Sequence, residues 1–162
     1  MFDYTKKMID NINTIIMKGL SEFLKTTTVN KTTVQNFLTA FEDDVRQKTR
    51  LLGCVGKPIK FNDVFTGVLR DFGLTNIQVS YKIVKETKFP DNITTKFTLT
   101  NTNTNKSIDL YVIYDSGYEL NEECTDIMYD GSTIATIYTY VKKGSPFIFD
   151  IQGWTQIIKF MI

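Results

Sequence analysis

An α+β fold is what the sequence predicts: about three N-terminal helices, then an antiparallel β-meander or sandwich of about seven strands. Three observations predict it. Apolar residues recur at helical spacing up to about residue 72, and from residue 76 they alternate with polar residues at period two. Turn signals, Asp130-Gly131 foremost, then punctuate the chain to its end. A run of helices followed by a run of strands is the order of an α+β protein. No repeat and no loose linker interrupts residues 1–162, so one domain is expected, helical over 1–75 and β over 76–162.

The first helical stripe lies in residues 4–26, where Met8, Ile9, Ile12, Ile15, Ile16, Leu20, Phe23 and Leu24 share one face. A capping box on Thr32 and Gln35 starts the second, through Val34, Phe37, Leu38, Phe41 and Val45, with Gly53 expected to end it in a left-handed conformation. Asn62 caps a third through Val64, Phe65, Val68, Leu69 and Phe72. Gly73 fits the position just past its end, with Leu74 folding back on Leu69.

Ile77, Val79, Tyr81 and Ile83 then alternate with polar residues as a strand with one wet face. Further strands are predicted at 93–100, 107–115, 124–129, 132–142, 146–151 and 155–162. The polar centre of "FTLTNTNTNKSIDLYVIY", residues 101–106, reads as a hairpin tip in which asparagines supply left-handed backbone and local hydrogen bonds.

At 42% hydrophobic and 13% aromatic residues the chain has the means to build a core. A net charge of +1 supplies no field that would favour nucleic acid or an anionic membrane. The charge is unevenly spread. Residues 1–90 hold 14 Lys+Arg against 9 Asp+Glu, net +5, and residues 91–162 hold 5 against 9, net −4. Such an asymmetry favours head-to-tail stacking of identical subunits, setting rate and register more than affinity. Asp10, Asn11 and Asn13 break the apolar run a signal peptide needs, and no stretch reaches the ~20 apolar residues of a membrane span. Two cysteines are too few for a disulfide scaffold. The expected location is therefore a reducing compartment such as the cytoplasm, or an assembled virion.

Histidine is absent, which removes Ser-His-Asp and Cys-His catalysis and the commonest zinc ligand. Cys54 in "LLGCVGKPIK" sits in a helix-ending connector, since the glycine spacing and Pro58 after Lys57 fail the phosphate-loop pattern. Cys124 lies in an acidic run with Asp115, Glu119, Glu122, Glu123, Asp126 and Asp130, which lacks the order of a calcium loop. Neighbouring carboxylates also raise a thiol pKa, so Cys124 is a poor nucleophile. Arg46, Lys48 and Arg50 follow the acids Glu42, Asp43 and Asp44, a pattern of helix ion pairs rather than a phosphate-binding stripe. No catalytic residue, metal ligand or cofactor is expected.

Aromatic residues are dense in the β half. Tyr138 and Tyr140 occupy one face of a predicted strand while Ile137 and Val141 take the other, so both faces are expected to be covered, by helices and by a second sheet or a neighbouring subunit. The C-terminal "WTQIIKFMI" reads as an apolar strand that must pair with something. Tyr138, Tyr140, Phe147, Phe149, Trp154 and Phe160 are therefore candidate interface residues, joined by Asn103 and Asn105 at the hairpin tip. These features fit a non-enzymatic assembly protein whose partners are copies of itself or other subunits. Richness in Thr, Asn, Ile and Lys associates such a chain with virus or phage particles. Two other classes fit less closely: a monomeric binding or inhibitory protein, and a carboxylate enzyme or small-ligand cone built on residues 115–130.

Overall fold

The computed structural model describes residues 29–117, 122–140 and 145–162. The helical stripe at 4–26 lies outside them. Helix α1 (Lys31–Lys48) is capped by Asn30, whose Oδ1 accepts from the Thr33 N–H at 2.9 Å and from the Thr33 hydroxyl at 3.0 Å. The cap is thus two residues earlier than the Thr32 and Gln35 box. Asn30 is the residue with extended backbone, which lets its side chain fold over the first turn. The stripe Val34, Phe37, Leu38, Phe41 and Val45 is buried as expected. The helix stops at Thr49, well before Gly53, which instead belongs to a short 3-10 helix (Leu52–Gly56).

Helix α2 (Pro58–Asp71) begins four residues before Asn62, because Pro58 at its first position needs no N–H and has the right φ already. Its end follows the sequence. Gly73 has φ 68°, its N–H donates to Arg70 O at 2.9 Å, and the Leu74 N–H donates to Leu69 O at 2.9 Å, the paired bonds of a Schellman ending.

The strands β1 (Ile77–Thr87), β2 (Asn92–Asn101), β3 (Lys106–Asp115), β4 (Cys124–Tyr129), β5 (Ser132–Tyr138) and β6 (Phe147–Phe149) form one antiparallel sheet in the order of the sequence. Asp130 at φ 52° and Gly131 at φ 78° make the β4–β5 turn, the two positive angles that an Asp-Gly hairpin supplies. Between β2 and β3 the chain turns over Thr102–Asn105. Here Asn101, fully buried, accepts from Asn76 Nδ2 at 3.1 Å and from the Asn103 N–H at 3.0 Å, and donates to Phe160 O at 2.9 Å. The first asparagine of the polar stretch is structural, and the tip beyond it is exposed.

The predicted seventh strand at 155–162 is a helix, α3 (Ile151–Met161), which leaves six strands. Asp150 caps it by accepting from the Gln152 N–H at 3.2 Å. Trp154, Ile157, Ile158 and Met161 are buried at i, i+3, i+4 and i+7, so helical periodicity outweighs the strand preference of individual isoleucines and aromatics. No apolar strand is left open at the C-terminus.

The three described α-helices cover one face of the sheet. Phe97, Leu99, Leu110, Val112, Ile127, Ala135 and Ile137 point into that core against Phe37, Phe41, Phe61, Phe65 and Trp154. Among the described residues no second sheet covers the opposite face, contrary to the sandwich expectation.

Candidate interaction surface

β1 is the place where helical cover ends. Its core-facing residues pair with those of β2, Val79 opposite Leu99, Tyr81 opposite Phe97 and Ile83 opposite Thr95. Yet Phe97 and Leu99 are fully buried while Tyr81 and Ile83 are 40% and 48% exposed. The reason lies in α2. Phe61 of its buried stripe sets its ring against Phe97 of β2 at 4.6 Å, and the chain before Pro58 turns away toward the 3-10 helix. Ile59, on the other side of that first turn, is 68% exposed beside the uncovered part of β1.

The result is an open groove of about 630 Å³ lined by Ile59, Tyr81, Ile83 and Ile93, with Lys57 and Lys60 at its rim. Tyr81 stacks on the buried Phe97 ring at 5.0 Å, so the groove floor is fixed to the core. Lys82 and Lys85 stand on the opposite face of the same strand, opposite Lys96 and Thr94 of β2. Among the described residues β1 is an edge strand, blunted by these lysines and by a bulge at Val84, both of which oppose strand addition. What β1 offers a partner is its apolar face.

The sequence-predicted interface residues divide. Trp154 is fully buried and Phe147 nearly so, the latter under the Arg46 guanidinium at 4.9 Å. Phe149 and Phe160 are half-buried against the same core. Tyr138 and Tyr140 pair at 5.9 Å and are half-exposed, and Asn103 and Asn105 are exposed at the hairpin tip. They form no single patch. Of the residues that do, Tyr81 and Ile83 are legible as apolar positions of a strand, whereas the sequence places Ile59 in the connector before the third helix. A hint existed in Ile59, which falls off the α2 stripe.

Glu119 of the acidic run lies outside the described residues, and the described members do not converge on a site. Asp115 accepts from the Gly117 N–H at 2.9 Å, Asp126 accepts from the Thr136 hydroxyl at 2.7 Å on the outward face, and Glu123 is buried on the inward side. Among the described residues no three Cys, Asp or Glu groups are placed to hold a metal ion. Cys54 is buried with its Sγ 3.6 Å from Lys60 Nζ, and Cys124 is half-buried. Neither is in a disulfide. No described helix is long and apolar enough to cross a membrane.

Glu123 instead serves the fold. It accepts the hydroxyl hydrogen of Tyr114, and burial first, then the Glu123 carboxylate, push the Tyr114 pKa far above its ordinary value. The folded chain therefore keeps a proton that the unfolded chain releases near pH 10, so this contribution to stability is complete below that pH and lost as pH rises above it. Tyr114→Phe is expected to flatten the alkaline decline of the urea midpoint between pH 9 and 11, while losing about 1–3 kcal/mol near pH 7 from the orphaned carboxyl group. An unchanged alkaline slope would exclude the coupling.

No family model, curated protein or solved structure matches the chain.

Proposed function

We propose that this chain is a non-enzymatic assembly protein that associates with copies of itself through the β1 and α2 groove, as a repeated subunit of a larger complex. The observation that carries the reading is the contiguous exposure of Ile59, Tyr81 and Ile83 over a floor anchored to the core. Large apolar side chains gathered on one rigid surface and rimmed by charge are the composition of a contact site, whereas scattered single residues are ordinary surface. The scattered carboxylates, the buried Cys54 and the lack of histidine support the non-enzymatic part.

Native mass across a concentration series tests it. Wild type is expected to exceed the 18.7 kDa of one chain as concentration rises. Ile83→Asp is expected to weaken the association at least tenfold by setting a carboxylate in the apolar floor. A monomer at every concentration would overturn the reading and turn attention to a foreign partner.

A further inference from the structure

We propose that the sheet face turned away from the helices packs on the same face of a second copy, forming a two-fold dimer whose dyad runs along the strands between β2 and β3. This contact uses none of the groove residues and goes beyond the association proposed above. The register fixes what the face presents. One row across the sheet reads Lys82, Lys96, Tyr111 and Met128, and the next reads Lys85, Thr94, Ile113 and Asp126. Tyr111 is 41% exposed, with Ile113 and Met128 half-buried beside it. Among the described residues no second sheet covers them.

Charge on this face is segregated. β1 and β2 contribute Lys82, Lys85 and Lys96 and no acid, whereas β3 and β4 contribute Asp109, Asp115 and Asp126 and no base. Among the described residues none of these groups is in an ion pair, although Lys96 and Asp109 lie on neighbouring strands one row apart. The acids are held by hydroxyls instead, Asp109 by Thr98 at 2.8 Å and Asp126 by Thr136 at 2.7 Å. A dyad along the strands between β2 and β3 keeps each row level and exchanges its two halves. Lys85 then lies over Asp126 of the second copy, Lys96 over its Tyr111 ring and Thr94 over its Ile113, each contact made twice. A lysine over an aromatic face is itself attractive. A dyad across the strands would instead lay β1 and β2 on their own copies, lysine on lysine. The charges therefore choose the first arrangement. They also choose a second copy as the occupant, because opposite halves on one face make that face complementary to itself. Two sheets stacked with their strands aligned is a common packing. The overlap, four strands about 4.8 Å apart and about eight residues long, covers roughly 500 Å² per copy and about 1,000 Å² in all, near the least that a specific interface buries. Such a dimer is weak, and a few charges decide it.

The test uses the full chain carrying Ile59→Asp, a change off the sheet that sets a carboxylate in the groove, so that failure of either contact shows separately. By sedimentation equilibrium this parent is expected to dimerise. Lys85→Asp and Asp126→Lys are each expected to weaken the dimer at least tenfold, by setting like charges over one another. An equimolar mixture of the two should return to within about threefold of the parent affinity, because each lysine again lies over a carboxylate. Lys96→Glu with Asp109→Lys gives a second pair should Asp126→Lys fold poorly by circular dichroism. Single variants that dimerise as the parent does, or a mixture that stays monomeric, would overturn the dyad. A parent that is monomeric at every concentration overturns it as well, and wild type alone then decides the groove.

Discussion

Trp154→Ala is expected to remove about 3–5 kcal/mol of folding stability, the largest loss from any single truncation in this core. The indole is fully buried on α3 and packs on three rings from two other elements, with centroids 6.0 Å from Phe37 and 5.9 Å from Phe41 of α1 and 6.4 Å from Phe149 of β6. It therefore joins α1, α3 and β6 at one point. Its Nε1–H also donates to Ile134 O at 2.9 Å, an oxygen that the Asp150 N–H reaches at 2.9 Å as well, so truncation removes one of two hydrogen bonds to β5, adding about 1 kcal/mol. Domains of this size hold roughly 5–15 kcal/mol in all, so the variant would be near unfolding at body temperature. Urea titration followed by circular dichroism measures it, since Trp154 is the sole tryptophan and its fluorescence disappears with it. Trp154→Phe keeps most of the ring contact but loses the hydrogen bond, and should fall between the two. A loss below about 1 kcal/mol for the alanine variant would contradict the packing of α3 on the sheet.

The same helix shows where sequence reading failed. Trp154, Ile157, Ile158 and Met161 carry the helical spacing openly, and Asp150 is a good cap. Three isoleucines and two aromatics in nine residues nonetheless resemble a strand when read by preference alone. Where periodicity and preference agreed, as in Ile77 to Ile83 or Val64 to Phe72, the elements were legible. The hairpin at Asp130-Gly131 and the helix end at Gly73 were legible for a different reason: each depends only on residues adjacent in the chain.

The candidate surface was half legible. Tyr81 and Ile83 read correctly as the apolar side of a strand. That they are uncovered depends on where the helix layer ends, a fact set by α2 packing with Phe97 and by nothing local to β1. The aromatics suffered the converse error. Density alone does not separate Trp154 and Phe147, which fill the core, from Tyr111, which faces outward.

Gly53→Ala is expected to cost about 3 kcal/mol, the upper end of ordinary overpacking, although it adds one methyl group. A Cβ at this position would lie 2.2 Å from Glu123 O and 2.5 Å from Thr139 Oγ1. Backbone cannot swing aside as a flexible side chain can. Moreover, the atoms in the way are bonded in place. Gly53 N–H donates to Thr139 Oγ1 at 3.0 Å, the Thr139 N–H donates to Glu123 O at 2.9 Å, and the Thr125 hydroxyl donates to Gly53 O. To admit the methyl, the 3-10 helix must lift from β4 and β5, breaking those bonds and opening the cover over Cys54. Glycine is thus required here for close approach, not for the left-handed backbone that sequence suggests, because the decisive neighbours lie about 70 and 86 residues further along. Two measurements separate this account from a general loss of stability. Gly131→Ala, in a turn with nothing within 4 Å of its Cβ, should cost only the ~1–2 kcal/mol of its positive φ and leave Cys54 protected. In a Cys124→Ser background, Gly53→Ala should label at Cys54 with a thiol reagent at least tenfold faster than its parent in the absence of urea, through local opening. Equal labelling rates would mean that the 3-10 helix is not held down by the contacts at Gly53.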